Sequence, residues 1–265
     1  METKPKLHFA PSYFHTLTHK ITITIIGCGG TGSFVLSKLA RLDYAMKELG
    51  MPGLHVIAYD YDIVESHNVG RQNFTIIDIG KNKALRAIEK INMAFGLQWE
   101  AMPVMVKDFL KVKQSNFLIT AVDNIAVRNS VEKYFKKYRN TKLHSTDYNT
   151  MFYWIDAGNG KDFGQVILTT TYDVPQPKST IYTTVPRLKS IIERYGNLSK
   201  FDNENTQGML SCSMEESLSK QDLYINDTVS VYVVGIIWNL IRHFRIAYSG
   251  VIINQATFAT KPLEL

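Results

Sequence analysis

The sequence predicts an α/β protein with a Rossmann-like, mostly parallel sheet, helices on both faces and an antiparallel extension in its second half. Three observations support this prediction. Apolar strands alternate with amphipathic helices, a glycine-rich turn joins the first strand to the first helix, and polar residues follow successive strands at their carboxyl ends. In such sheets ligands bind at those ends, so the order of elements also predicts where the site lies.

The first strand is the β-branched run over residues 21–26, which breaks into a turn containing Gly27, Gly29, Gly30 and Gly32. Glycine lets the backbone turn tightly and approach a phosphate closely, while the following helix N-terminus offers unpaired N–H groups and a positive dipole. The turn therefore predicts a nucleotide site. Alone it does not distinguish ATP from a dinucleotide, because many dinucleotide enzymes contain a similar turn.

The next elements continue the alternation. Apolar residues recur on one helical face over residues 35–49, and residues 54–59 predict a second short strand. A second helix is predicted over residues 82–95 and a third strand over residues 117–122, followed by a helix through Tyr134. Strands that alternate with helices in this way predict a parallel sheet.

The second half of the chain has a different character. Residues 151–157 and 164–171 predict paired strands. Residues 172–206 predict a long crossing segment that has a short helix starting near Pro186 and little regular structure at its ends. Residues 227–248 predict a helix that is apolar almost all round, which must be buried in the core or against a second subunit.

Length and composition predict a single domain over residues 1–265. We expect residues 20–150 to form its nucleotide-binding half, and residues 151–265 to supply strands, a crossing segment and an apolar helix. With 45% hydrophobic and 20% charged residues the chain has ample material for a core. The net charge of +6 suits an anionic ligand or an acidic partner but is too diffuse to indicate nucleic acid.

Targeting signals and cysteines set further limits. The sequence shows neither a signal peptide nor an apolar run of membrane-spanning length, so we expect a cytoplasmic protein with no membrane partner. Its two cysteines, Cys28 and Cys212, exclude a disulfide framework and a zinc site built from four cysteines.

A set of polar residues, some at the predicted strand ends and others in the segments that follow them, favours ATP over NAD. They are Asp60, Asp62, Asn68, Arg71, Lys83 and Asp123. Two cations and an amide suit a triphosphate, and an aspartate can hold Mg²⁺, whereas a dehydrogenase needs an acidic residue for the ribose and no such cationic set. The interval from Gly32 to Asp60 is also longer than the roughly 20 residues usual in dinucleotide motifs. Taken singly, Lys83 reads as a solvated helix lysine and Asp123 as a helix cap.

Taken together, these motifs resemble the ThiF/MoeB/ubiquitin-activating superfamily over roughly residues 20–170. They are Gly27-x-Gly-Gly-x-Gly-Ser33, Asp60-x-Asp62, Asn68-x-x-Arg71-Gln72, Lys83, Asp123-Asn124-x-x-x-Arg128 and Gly164-Gln165-Val166. The segments Tyr-Asp-Tyr-Asp-Ile-Val, Ser-Cys-Ser-Met-Glu-Glu and Ser-Gly-Val-Ile-Ile-Asn most resemble the ThiF-like family of plasmid-borne PRTRC cassettes.

The resemblance implies ATP- and Mg²⁺-dependent adenylation of the C-terminal carboxylate of a ubiquitin-like protein by a homodimer. It also implies that residues 151–265 bind the protein substrate and form the dimer. Asp62, with Asp60 nearby, would hold the ribose, and Asp123 would bind Mg²⁺. Asn68, Arg71 and Lys83 would bind phosphates and stabilise charge, and we expect both cations at the surface. The glycines of the turn would approach ATP.

Some features depart from the family or leave alternatives open. Residues 1–20 lack the arginine that many relatives supply from the partner subunit, and paired Cys-x-x-Cys zinc ligands are missing, so no zinc is expected. Cys212 follows the crossing segment where relatives carry a reactive cysteine, and its alternative is a small buried residue at a helix entry. The alternative functions are a catalytically silent scaffold for a ubiquitin-like protein and, less favoured, an NAD-dependent oxidoreductase.

Overall fold

The computed structural model describes residues 4–138, 150–196 and 221–265 of the chain. Its strands are β1 (Lys6–Phe9), β2 (Ile21–Ile26), β3 (Leu54–Tyr59), β4 (Glu100–Met102), β5 (Phe117–Thr120), β6 (Tyr153–Asn159), β7 (Phe163–Thr170), β8 (Thr183–Thr184), β9 (Arg245–Ile246), β10 (Tyr248–Asn254) and β11 (Ala259–Glu264). Its α-helices are α1 (Gly30–Glu48), α2 (Lys83–Phe95), α3 (Ile125–Tyr138), α4 (Ile191–Tyr195) and α5 (Ile225–Arg242).

An eight-stranded sheet with the order β11-β10-β7-β6-β5-β2-β3-β4 carries the fold. Strands β4, β3, β2, β5 and β6 are parallel, and β7, β10 and β11 extend them antiparallel. The predicted fold class is therefore confirmed. The chain runs from β2 outward to β3 and β4, and then returns to the other side of β2 to form β5. In open parallel sheets, ligands bind in the crevice beyond the carboxyl ends of the strands at such a reversal, which here lies beyond β2.

Helix α2 begins and ends where local signals place it. The Asn82 side chain accepts a hydrogen bond from the backbone N–H of Leu85 at 3.0 Å and so caps the N-terminus. Gly96 ends the helix with φ 63°, in the left-handed region that glycine enters without strain. The helix predicted over residues 82–95 is confirmed, and its cap brings Lys83 to the first helical position.

The helix predicted over residues 227–248 is wrong at its C-terminal end, because α5 begins at Ile225 and ends at Arg242. Phe244 adopts φ 56° and turns the chain into β9 and β10. Phe244, Ile246 and Tyr248 alternate with the period of a strand, and the apolar helical run before them concealed this change of period. The third predicted strand likewise ends earlier, at Thr120.

Part of the predicted crossing segment is described. Up to residue 196 it contains the short strand β8 and helix α4, whose N-terminus is capped by Ser190 through a bond from the Glu193 N–H at 3.2 Å. The remainder of this segment lies outside the described residues.

A small sheet of three strands, in the order β8-β1-β9, packs beside the large one. Buried His8 of β1 joins the two. Its Nδ1 lies 2.6 Å from the carbonyl oxygen of Val185, and its Nε2 lies 2.8 Å from the hydroxyl of Tyr153 on β6. Since a carbonyl only accepts, Nδ1 carries the proton and Nε2 accepts from Tyr153. Burial lowers the pKa of His8 to about 4, so the ring is neutral.

Helix α5 packs its buried face, including Val229, Val233 and Ile237, against the sheet and α1. Its outer face and α1 border an open groove of about 370 Å³, lined in part by Val231 and Trp238. Within the parts of the chain that the structure describes, none of the helices has the length and apolar character that a membrane span requires.

Candidate functional site

The glycines of the turn after β2 have different surroundings. A Cβ on Gly27, whose φ is 94°, would lie 2.4 Å from the carbonyl oxygen of Ala121, and one on Gly32 would lie 1.8 Å from that of Gly27. A Cβ on Gly30 would lie 2.3 Å from Oδ1 of Asn226. These three glycines therefore permit close packing within the protein. Gly29 differs, because a Cβ there would lie 3.8 Å from the side-chain amide of Gln72, which is an ordinary van der Waals contact rather than a clash.

Asp60 holds this turn in place. Its Oδ2 accepts a hydrogen bond from the Cys28 N–H at 2.6 Å, and its Oδ1 accepts one from the Asp62 N–H at 2.9 Å. Burial raises the pKa of Asp60, and these two bonds oppose that rise. The carboxylate is thus occupied by backbone and orders the turn between the strand ends.

Asp62 and Lys83 form a pair at the edge of the crevice. Lys83 Nζ lies 3.2 Å from Asp62 Oδ2, and the side chain of Asp62 is 45% exposed while residue Lys83 is only 8% exposed. The expectation of a surface cation is therefore wrong for Lys83, as is the reading of a solvated helix lysine. Asn82 donates to the carbonyl oxygens of Asp60 and Asp62, at 3.0 and 3.1 Å, and so fastens α2 to this strand end.

Arg71 and Gln72 place unpaired polar atoms beside the turn. Arg71 is half-buried, and its Nη1 donates to Oε1 of Gln221. Arg71 Nε and Gln72 Oε1 are both buried without a hydrogen-bond partner among the described residues. Burial lowers the pKa of the Arg71 guanidinium, which indicates a cation deprived of solvent. Such unpaired buried groups are expected where a polar ligand completes the site.

Asn68 shapes the loop that carries Arg71. It is 3% exposed, its Oδ1 accepts from the Glu65 N–H at 2.9 Å, and its carbonyl oxygen accepts from the Gln72 N–H at 2.9 Å. The predicted phosphate-binding residues Asn68 and Arg71 thus belong to one hydrogen-bonded loop.

Asp123 lies exposed beyond β5, and it forms no hydrogen bond or ion pair with any residue in the described ranges. The helix cap that it was alternatively expected to provide comes from Asn124, whose Oδ1 accepts from the Ala126 N–H at 2.8 Å. Negative charge on Asp62 raises the pKa of Tyr61, with smaller contributions from burial, Asp123 and Asp60.

This arrangement fits Mg²⁺ held together with a nucleotide. Mg²⁺ is usually bound by one or two carboxylates plus substrate phosphates, and Asp123 is a free carboxylate at the predicted place. Within residues 4–138, 150–196 and 221–265, no group of three or more His, Cys, Asp or Glu side chains could hold a metal by itself.

Several residues of the site escaped sequence analysis. Asn159 ends β6, and Asn226 lies in the first turn of α5, where its Oδ1 accepts from Thr31 Oγ1 at 3.1 Å and from Asn159 Nδ2 at 3.2 Å. Asn226 Nδ2 donates to Gln221 Oε1 at 3.3 Å. Asn159, Gln221 and Asn226 lie far from the turn in sequence, and no recognisable motif surrounds any of them. Gln72 was within reach, since it adjoins Arg71 in a motif.

The structure describes one of the two cysteines. Cys28 is fully buried, and burial raises the pKa of its thiol well above the ordinary value, so it is an inert part of the turn. Cys212 lies outside the described residues.

Comparison with known proteins identifies one matching family model and several solved structures of similar fold. The family model described as the ThiF family matches residues 13–237. A crystal structure of E. coli MccB with ATP has 16% sequence identity and a TM-score of 0.59, covering 92% of this chain and 63% of that chain. The microcin C7 biosynthetic enzyme MccB with N-formylated MccA gives 16% identity and 0.58, covering 92% and 64%. The crystal structure of PaaA has 16% sequence identity and a TM-score of 0.61, and the match covers 95% of this chain and 75% of the PaaA chain.

At these identities the likeness to solved structures establishes the fold. This chain spans 63% of the length of the MccB chain that contains ATP. No curated protein sequence matches it significantly.

Proposed function

Because the chain belongs to the ThiF family, we propose that it uses ATP to adenylate the C-terminal carboxylate of a ubiquitin-like protein. The observation that carries this proposal is the presence of two desolvated cations, Arg71 and Lys83, near the glycine turn beyond β2. Buried cations beside a glycine turn suit phosphates, which carry several negative charges.

In the proposed reaction a carboxylate oxygen of the substrate forms a bond to the α-phosphorus of ATP. The bond from that phosphorus to the oxygen bridging the β-phosphate breaks, and pyrophosphate leaves. Arg71 and Lys83 offset the negative charge that shifts onto the phosphates, and Asp62 binds the ribose at the strand end. Mg²⁺, when bound, would add positive charge at the phosphates with Asp123 as its protein ligand.

Asp60 and Asn68 act through the backbone in this proposal. Asp60 fixes the turn through the Cys28 N–H, and Asn68 fixes the loop that carries Arg71. Asp60 and Asn68 therefore hold the turn and the Arg71 loop in place before the nucleotide binds to them. Catalysis of phosphoryl and nucleotidyl transfer depends mainly on such positioning and on charge stabilisation.

The solved MccB structures support a nucleotide and a peptide as ligands of this fold, since one contains ATP and another N-formylated MccA. The more specific parts of the proposal are a ubiquitin-like substrate of the PRTRC type, a thioester on Cys212 and a symmetric homodimer. The groove between α1 and α5, with Val231 53% exposed, supports the homodimer.

ATP–pyrophosphate exchange tests this function. We expect exchange that depends on Mg²⁺ and on a ubiquitin-like protein with a free C-terminal carboxylate, and that is lost when the last residue is amidated. Calorimetry is expected to show binding of Mg·ATP in preference to NAD. Tighter binding of NAD would favour the oxidoreductase, and binding of the ubiquitin-like protein without exchange would favour the silent scaffold.

A further inference from the structure

A relay of amide side chains connects Arg71 to the second half of the molecule. Gln221 Oε1 accepts hydrogen bonds from Arg71 Nη1 and, at 3.3 Å, from Asn226 Nδ2. Asn226 is 1% exposed and is held in turn by Thr31 of α1 and Asn159 of β6. Gln221 and Asn226 are five residues apart in sequence, whereas their bonds to Arg71, Thr31 and Asn159 join distant parts of the chain and exist only in the folded protein.

The relay also accounts for Gly30. A Cβ there would lie 2.3 Å from Asn226 Oδ1 and 2.6 Å from its Cγ, so any larger residue would displace the amide. Gly30 was expected to approach a phosphate, yet its nearest neighbour is this buried side chain. The absence of a side chain at Gly30 therefore lets Asn226 of the relay pack against the turn.

We infer that Gln221, supported by Asn226, is a positioning residue for Arg71, which it holds by Nη1 so that the opposite edge of the guanidinium is presented to an anionic phosphate. An arginine side chain offers two edges for paired hydrogen bonds, and one consists of Nε and Nη2. Gln221 engages Nη1, while Nε is buried without a partner among the described residues. A neutral amide restrains the cation without neutralising its charge, which leaves that charge for the ligand.

This inference rests on the proposed function, because that proposal places Arg71 at the phosphates of ATP. Calorimetry with Mg·ATP and with adenosine, which has no phosphate, distinguishes the role of Gln221 from the proposed function itself. We expect Gln221→Leu to weaken ATP binding roughly tenfold, the effect of losing one hydrogen bond to a charged group. Adenosine binding is expected to stay at the wild-type value. Gln98→Leu, which changes an exposed glutamine elsewhere, serves as the matched control.

A double-mutant cycle shows whether Gln221 acts through Arg71. In an Arg71→Ala background, Gln221→Leu is expected to cause no further loss of ATP affinity. Gln221→Glu retains the reach of the side chain but pairs its charge with the guanidinium, so we expect it to weaken ATP binding more than Gln221→Leu does. Gln221→Glu also tests the inference if the Gln221→Leu variant fails to fold.

The possible results lead to different conclusions. Unchanged ATP affinity in both Gln221 variants, or an equal loss with and without Arg71, would overturn the positioning role while leaving adenylation in place. Failure of the wild-type protein to bind Mg·ATP would instead overturn the proposed function.

Discussion

Lys83 is almost fully buried, yet its only described ion pair is to the half-exposed Asp62. We expect Lys83→Met, which keeps the apolar stem and removes the charge, to slow ATP–pyrophosphate exchange roughly 10²-fold or more. Arg71→Ala is expected to do the same, because each cation offsets charge developing on phosphate. Melting temperatures are expected to stay near wild type, since Asp62 remains solvated.

Lys81→Met provides the control for this measurement. Lys81 is exposed and lies two residues from Lys83, so its loss changes the net charge equally without removing a cation from the crevice. Near-normal exchange in Lys83→Met and Arg71→Ala would rule out the proposed mechanism.

Cys212 is the only cysteine outside the glycine turn. If the acyl adenylate passes to its thiol, we expect Cys212→Ala to retain pyrophosphate exchange and to lose a reductant-sensitive adduct with the ubiquitin-like protein. Gel electrophoresis with and without reductant measures this, and Cys28→Ala, at a buried thiol, is expected to keep the adduct. Unfolding of Cys212→Ala would support the structural alternative, and absence of any wild-type adduct would mean direct transfer to an acceptor.

At the level of elements, the attachment of β1 depends on a neutral histidine. Protonation of His8 would put a hydrogen on Nε2, which then no longer accepts from the Tyr153 hydroxyl, and would add a charge to a ring that burial keeps from water. Because burial holds the folded pKa at about 4, below the ordinary value of 6.5, the unfolded chain binds the proton first as the pH falls. This contribution to stability is complete above about pH 6.5 and is lost as the pH falls towards 4.

We expect His8→Gln to be less stable than wild type at pH 7, since it loses the geometry of two buried hydrogen bonds. The difference in the free energy of unfolding is expected to shrink by up to about 3 kcal/mol between pH 6.5 and 4. Only the wild type loses stability in this range, because His8 takes up a proton in the unfolded chain before it does so in the folded protein. Urea unfolding across this range measures the effect. A difference that does not change with pH would show that His8 does not control the acid response.

Local patterns were sufficient for some elements and insufficient for others. Strand β3 and helix α2 followed from apolar periodicity and from the Asn82 and Gly96 caps, which are short-range effects. Strands β1, β8 and β9 are only two to four residues long, and they are formed by pairing across distant parts of the chain. No short-range pattern predicts such pairing.

The candidate site divides in the same way. Gly27, Asp60 and Asp123 stand next to strands, so their placement at one edge followed from the order of elements. The contact of Arg71 with Gln221 joins residues 150 positions apart, and it required the folded chain to be seen. The separate duties of Asp60 and Asp62 also came from burial and hydrogen bonds rather than from residue type.

For the whole molecule, we expect a symmetric homodimer that uses the groove between α1 and α5. Val231→Glu would place a charge on an apolar surface that association desolvates, so we expect it to convert dimer to monomer at micromolar concentration. Light scattering measures the mass. Phe258→Glu, at a residue 92% exposed and remote from the groove in sequence, is the control. A monomeric wild type would contradict the prediction.

The order of the strands also limits how two copies can meet. Both outer strands of the large sheet discourage a further strand from joining. Strand β4 has three residues, and β11 contains Lys261 and the proline Pro262, which has no N–H to donate. Growth of the sheet into a continuous ribbon between molecules is thereby disfavoured. Association is left to the helical faces, where side chains rather than backbone ladders select the partner.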